Sequence, residues 1–476
     1  MSLKMEVNAD KIKMMLKGIS HMAFSSLFVW LSSESVLGLR QAFGHAASGH
    51  ALFSMTGSFR NPGPFGGFIA IMTAVAISYA VIHRKSFISL SAMLRMAVSG
   101  KRAKRPLLFL LTVFRAIPFM LAVIASVLGI VVLPASMSRA AWLAFALAIL
   151  ILAVRESGLP GWITGHRLLA CACGAAAVCL MAGAFCMKMD SAVGRLHIWH
   201  MELLAMSANP WRGTGKGTVL GTYGKTQAAY FAEKERSGTE IRVAGCPEYA
   251  FNEYFRIGVE YGVPAMLAAT AALVFAVVCF VRCRSPFGYG LAAFAVFAFF
   301  SYPLSLFHCE GEAGRSWKEL RCLSSCDMYD DAVGEYGKLY GELHGCYRFL
   351  YDYGYALHKS GRYAESNKVL AEGAEISSDP MFHNIMGRNY EALGMYAAAE
   401  QAYMISHNMV PCRIYPLLLM MEMYMSQERF RDAVELGRRI QAMPLNPRLR
   451  SMKELRQRAD DNLAEVMRLQ EQHETD

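Results

Sequence analysis

The chain has 476 residues, room for two or three domains, and 54% of them are hydrophobic, more than an ordinary soluble protein carries. The formal net charge is +10, but the basic residues cluster beside long apolar runs, so a membrane accounts for them and no nucleic-acid partner is assigned. The twelve cysteines are scattered, and Cys171, Cys173, Cys179 and Cys186 fall inside one apolar run, which excludes a disulfide framework. Cys322 and Cys326 have no second Cys or His pair at zinc-ligand spacing, so no metal and no cofactor is assigned.

A helix crosses the hydrocarbon core with about 20 mostly apolar residues, because its backbone polar groups must be satisfied within the span. Six runs meet this, at 64–82, 116–134, 138–154, 168–187, 263–281 and 287–306. A seventh, at 18–33, is shorter and contains His21; an interfacial helix fits it as well as a span. Lys11, Lys13 and Lys17 precede the first run, His83 to Lys85 follow the second and Lys101 to Arg105 lead into the third. Arg155, His166 and Arg167 join the next pair, and Arg282 and Arg284 the last. If the spans alternate, all these clusters share the cytoplasmic side, and residues 33–63, the turn at 136–139 and the stretch 188–262 fall on the other. The expected class is therefore all-α: a polytopic membrane domain of about six or seven spans over 1–306, with one long extracytoplasmic loop at 188–262.

That loop is too long for a connector and is dense in polar and aromatic residues. It runs through Arg195-Leu-His-Ile-Trp199, Asn209-Pro-Trp-Arg-Gly-Thr-Gly-Lys-Gly217, Tyr223-Gly-Lys-Thr-Gln227 and Pro247-Glu-Tyr-Ala-Phe-Asn-Glu253 to Glu260-Tyr-Gly262. Its arginines and lysines match phosphate oxygens, so either an anionic lipid carrier sits here or the charges form a solvated face. Gly213-x-Gly215-x-Gly217 with Lys216 is neither a Walker loop, which needs Ser or Thr after the Lys, nor a dinucleotide fingerprint, which needs a preceding strand. The glycines read instead as tight turns packing the loop.

Four segments, in this order, resemble the O-antigen ligase/polymerase family of polytopic membrane proteins. They are Thr56-Gly-Ser-Phe-Arg-Asn-Pro-Gly63, Ser136-Met-Ser-Arg-Ala-Ala-Trp142, Arg195-x-x-x-Trp199 with Pro210-x-x-Gly-x-Gly215, and Ala250-Phe-Asn-Glu-Tyr with Val259-Glu-Tyr-Gly262. The resemblance covers about 35–306 and implies metal-independent transfer of a saccharide from an undecaprenyl-pyrophosphate carrier. The implied acceptor is lipid A-core, a growing polysaccharide or a protein hydroxyl, and the implied place is the bacterial inner membrane with the active loop periplasmic. Arg195 and Arg139 would neutralise the pyrophosphate leaving group, and Arg60, Arg212, Lys216, Trp199 and Asn252 would bind substrate. The family's ligases place a His before the Asn near the loop's end, where this chain has Phe251, so Glu253 is the expected base, with Glu248, Glu260, His197 and His200 as alternatives. The span set is short for the family, which implies a reduced member or segments lost near the N-terminus and residue 306; a membrane scaffold without activity is the alternative function.

Beyond residue 306 the apolar runs stop. Tyr329, Tyr363, Tyr396 and Phe430 recur at spacings of 34, 33 and 34, each followed three positions later by a small residue, Ala332, Ser366, Ala399 or Ala433. This is the tetratricopeptide period, in which helix pairs stack into a solenoid. The expected layout is a linker and degenerate first repeat at 307–346, repeats at 347–447 and a capping helix and tail at 448–476. The repeats are expected to bind a protein partner, and span parity puts them in the periplasm, or on the opposite side if a span near residue 306 is missing.

Overall fold

The computed structural model describes residues 2–59, 61–84, 106–156, 161, 164–166, 183, 189–234, 236–306, 312–444 and 450–475. Every regular element among them is helical, and the chain separates into two compact units. The first comprises Met1–Met187, Asn252–Tyr254 and Leu267–Leu306; the second comprises Lys188–Phe251, Phe255–Met266 and Phe307–Asp476.

The first unit contains α1 (Ser2–Ala42), α2 (Pro62–Ile82), α3 (Pro106–Ala135), α4 (Arg139–Glu156), most of α9 (Val263–Arg282) and α10 (Pro286–Phe300). Among the described residues four stretches are long and apolar enough to cross a membrane: Ile19–Ala42, Pro62–Ile82, Ala116–Ala135 and Val263–Arg282. The run expected at 168–187 lies outside the described residues. The first run extends well past residue 33, because the polar groups there find partners. Ser35 Oγ donates to Leu31 O at 2.8 Å, and the buried Glu34 accepts from Ser58 N and Ser58 Oγ at 3.0 and 2.6 Å. The last run breaks early: α10 ends at Phe300, and Ser301 is extended ahead of a short 3₁₀ turn at Pro303–Leu306. Pro303 disfavours helix in the residue before it and cannot donate to one.

α2 is the centre of this unit, with 61% of its apolar window buried, against none of α9's. It packs on α3, α4 and α10. A Cβ on Gly67 would lie 2.3 Å from the Phe297 ring, so the glycine admits α10 at close range, the small-residue packing on which lipid-embedded helices depend.

The second unit contains α5 (Met189–Ala208), α6 (Val219–Glu233), the short α7 (Gly238–Val243), α8 (Glu253–Tyr261) from Phe255 onward, and a C-terminal array. The array runs α11 (Glu312–Ser325), α12 (Tyr329–Leu343), α13 (Tyr347–Lys359), α14 (Tyr363–Ile376), α15 (Met381–Ala392), α16 (Tyr396–Met409), α17 (Tyr415–Ser426), α18 (Phe430–Ala442) and α19 (Arg450–Thr475). From α12 each helix packs on the next. The four periodic aromatics open α12, α14, α16 and α18, and the small residues three positions on are fully buried, which is why nothing larger stands there.

Candidate functional site

The site builds from α5, where Arg195, Ile198, Trp199 and Glu202 fall at i, i+3, i+4 and i+7 and so share one helix face. Arg195 and Ile198 line a cleft of about 270 Å³, together with Tyr223, Cys246, Pro247 and Phe251. The Arg195 guanidinium carbon lies 5.2 Å from the Phe251 ring centroid, a cation–π contact worth about 0.5–2 kcal/mol. Phe251, which stands where the resemblance expects a His, therefore steadies the cation and takes no proton. The result is a permanent positive charge, held by a ring, at the wall of a cleft otherwise lined mainly by apolar residues.

Polar groups are buried behind this wall. Glu202 is 2% exposed, its Oε2 finds no hydrogen-bond partner among the described residues, and burial pushes its carboxyl up to about 8, making it a neutral acid at pH 7. Burial, followed by the nearby Glu202 charge, raises the Tyr223 hydroxyl. Tyr223 donates to Gln227 Oε1 at 2.5 Å, and Gln227 Nε2 donates to Gly245 O at 3.0 Å and to Met409 O. With its amide nitrogen so engaged, Gln227 offers only an oxygen to His197 Nε2, 2.9 Å away, so that nitrogen carries the imidazole proton. Burial lowers the His197 pKa and keeps the ring neutral at pH 7.

The loop's opening and closing motifs interlock. Gly213, Gly215 and Gly217 all have positive φ, of 67°, 107° and 80°. Thr214 N donates to Val259 O at 2.8 Å, Gly215 N to Glu260 O at 3.0 Å and Val263 N to Pro210 O at 2.8 Å. A Cβ on Gly213 would lie 2.5 Å from the Glu260 carbonyl carbon, so that contact requires glycine. The Glu260 carboxylate accepts from Gly217 N at 3.1 Å and pairs with Arg256 at 3.2 Å. It ties the glycine turn to α8.

Of the residues assigned from sequence, Arg195, Trp199, Arg212 and Lys216 stand in the second unit, and Arg139, Asn252 and Glu253 in the first. Trp199 packs edge-on to Phe255, with centroids 6.1 Å apart. Arg212 and Lys216 are exposed on the glycine turn beside Trp211, and neither is among the described residues lining the cleft. Arg60 lies outside the described residues. Arg139 opens α4 just after the turn at Ser136, whose Oγ donates to Leu133 O at 2.7 Å. Asn252 Oδ1 accepts from Tyr254 N at 3.0 Å, the bond of a helix N-cap, and Glu253 Oε1 accepts from Leu304 N at 2.8 Å. Glu248 pairs with Arg348 at 2.8 Å on an exposed surface.

Sequence reasoning did not single out Glu202, Gln227 or Cys246 as site residues. Glu202 had one legible signal, an acid seven residues after Arg195 on the same helix face; the other two are placed by contacts far away in sequence. No curated protein matches the chain. The O-antigen ligase family model matches residues 121–270, a stretch that contains Arg195, the glycine turn and Phe251. The apolar helices and this match mark a membrane protein that is similar over residues 121–270 to O-antigen ligases.

Proposed function

We propose that the chain transfers a saccharide from an undecaprenyl-pyrophosphate carrier to an acceptor hydroxyl, with the donor's pyrophosphate held at the Arg195 cleft on the periplasmic face of the bacterial inner membrane. The observation that carries this reading is the Arg195 guanidinium, steadied on Phe251 in the wall of a cleft within the family-matched stretch. Transfer forms a bond between the sugar's anomeric carbon and the acceptor oxygen and breaks the bond to the carrier phosphate. The acceptor proton leaves to a base, and the pyrophosphate departs with its charge against Arg195. Arg139, as a further anion contact, and Glu253, as the acceptor's base, are separate assignments resting on the resemblance. Lipid A-core, polysaccharide and protein hydroxyls are the acceptor classes, and the C-terminal helix pairs are proposed to be tetratricopeptide repeats that bind a protein of the same pathway.

The test is reconstitution of the full chain in vesicles with a lipid-pyrophosphate glycan and each acceptor class. New glycosidic linkage without other enzymes supports the reading. A second reading, a scaffold without activity, draws on Phe251, since a ring in place of the His leaves that position without a proton acceptor. Failure of transfer with every acceptor, with the fold intact, would favour it.

A further inference from the structure

The Arg195 cleft is braced from behind by the C-terminal array. Gly245, Cys246 and Pro247 line it, and each is tied toward the array. Ser378 Oγ, in the α14–α15 connection, donates to Pro247 O at 2.7 Å, and Ser378 is buried. Arg413, between α16 and α17, directs its guanidinium at Cys246 Sγ, 3.3 Å away. The Gln227 amide nitrogen bridges Gly245 O and Met409 O, the latter in the last turn of α16. Arg348 of α13 adds the ion pair to Glu248.

The underlying support is tight as well. α6, which carries Tyr223 and Gln227, packs against α14 and α16. A Cβ on its Gly221 would lie 1.9 Å from the backbone oxygen of Glu375, and one on Gly224 2.6 Å from Met409 Cε. At Gly221 the array therefore meets α6 backbone to backbone, while at Gly224 the Met409 side chain fills the space. Ala228, Met409 and Val410 close an apolar cluster beside this contact, with Cys246 packed on it.

We propose that the array is the positioning frame of the cleft: Ser378 and Arg413 hold residues 245–247 at the spacing from Arg195 and Phe251 that the donor's pyrophosphate requires. They are positioning residues that act through the wall. This rests on the reading of the cleft as the donor site. It separates the array's part in donor binding from any partner the repeats engage, because the contacts are internal to the chain.

The experiment uses the full-length protein in nanodiscs, as wild type, Ser378→Ala, Arg413→Gln and Arg195→Ala. Three readouts are taken: alkylation of Cys246 by iodoacetamide, followed by peptide mass spectrometry, transfer kinetics with a lipid-pyrophosphate glycan donor, and the melting temperature. Loss of one buried hydrogen bond to the wall is expected to raise the donor KM about fivefold in Ser378→Ala and in Arg413→Gln, with kcat nearly unchanged. Cys246 alkylation is expected to quicken by a similar factor in Ser378→Ala, whereas Arg413→Gln also removes the cation that favours the thiolate and is read by KM alone. Unchanged KM and unchanged Cys246 reactivity would overturn the proposal, as would a fall in kcat alone or a lowered melting temperature with KM intact, which a purely structural role predicts. Normal transfer by Arg195→Ala would instead overturn the donor-site reading, while Cys246 reactivity would still report on the frame.

Discussion

The periodic array and the loop packed with it in the second unit are built from the same kind of helix, yet one repeats its packing at a fixed spacing and the other does not. In the array, small residues recur at buried positions and Ser366 Oγ donates to Gly354 O at 2.7 Å, although Asn384 Oδ1 and His407 Nδ1 are buried there without a hydrogen-bond partner among the described residues. In the loop, α5 buries an acid with an oxygen that has no hydrogen-bond partner among the described residues, sets an arginine on an aromatic ring, and is followed by a turn of three positive-φ glycines. Local choices that agree with the fold describe a scaffold; choices that work against it are retained where they serve a site. The proposed function assigns donor chemistry to the loop and its support to the array.

The sharpest test of that contrast is Glu202. Its folded pKa stands near 8, above the ordinary 4.5, so the folded state binds the proton more tightly than the unfolded chain. Stability from this group is therefore full below the ordinary value and is lost as pH rises through about 8, by on the order of 5 kcal/mol. Glu202→Gln should remove that slope in thermal melts taken between about pH 5 and pH 9. An unaltered slope would mean that the acid is not held in a dry site.

Smaller effects follow on the support side. Gly221→Ala drives a Cβ onto the Glu375 carbonyl and should cost about 2 kcal/mol, measured by denaturant unfolding of the full chain, whereas the same change at the open Gly334 should cost nothing or stabilise its helix. Phe251→Leu keeps an apolar side chain beside Arg195 but removes the ring, and should weaken donor binding by about 1 kcal/mol in a titration; an unchanged affinity would make the stacking incidental. Arg348→Ala breaks an ion pair whose side chains are half exposed and should shift stability by less than about 0.5 kcal/mol. A large effect there would move the support from buried contacts to surface charge.

Much of the scaffold was legible because it repeats or because it is long and apolar. The spacing of Tyr329, Tyr363, Tyr396 and Phe430 showed that the segment repeats, since one buried small side chain per pair must recur for neighbours to stack, and these four residues open helices. Hydropathy marked α2 and α9 within a residue or two, but stopped α1 near residue 33. It could not see that Glu34, Ser35 and Gln41 are satisfied, the last by holding Thr56 N and Gly57 N at 2.9 and 2.7 Å. It also carried α10 too far, weighing the apolar residues past Phe300 above the break at Pro303.

The site was legible in part. Arg195 and the glycine turn stood out by residue type, but the motifs at 210–217 and 259–262 gained their meaning only when the two ends of the loop proved to bond to each other. Asn252, assigned to substrate, caps α8, and Glu253, assigned as base, holds Leu304 N; both contacts depend on chain geometry that residue types do not reveal. The wall contacts join residues as distant as Gln227 and Met409, which no local pattern encodes.

The central claim is that Arg195 serves the leaving pyrophosphate. It is tested most directly by initial rates of transfer from a lipid-pyrophosphate glycan, measured with purified wild type, Arg195→Lys and Arg195→Ala at matched fold and vesicle content. The account predicts a fall of about a hundredfold or more in Arg195→Ala and a partial loss in Arg195→Lys, which keeps the charge and loses the fork. Equal rates in wild type and Arg195→Ala would contradict it.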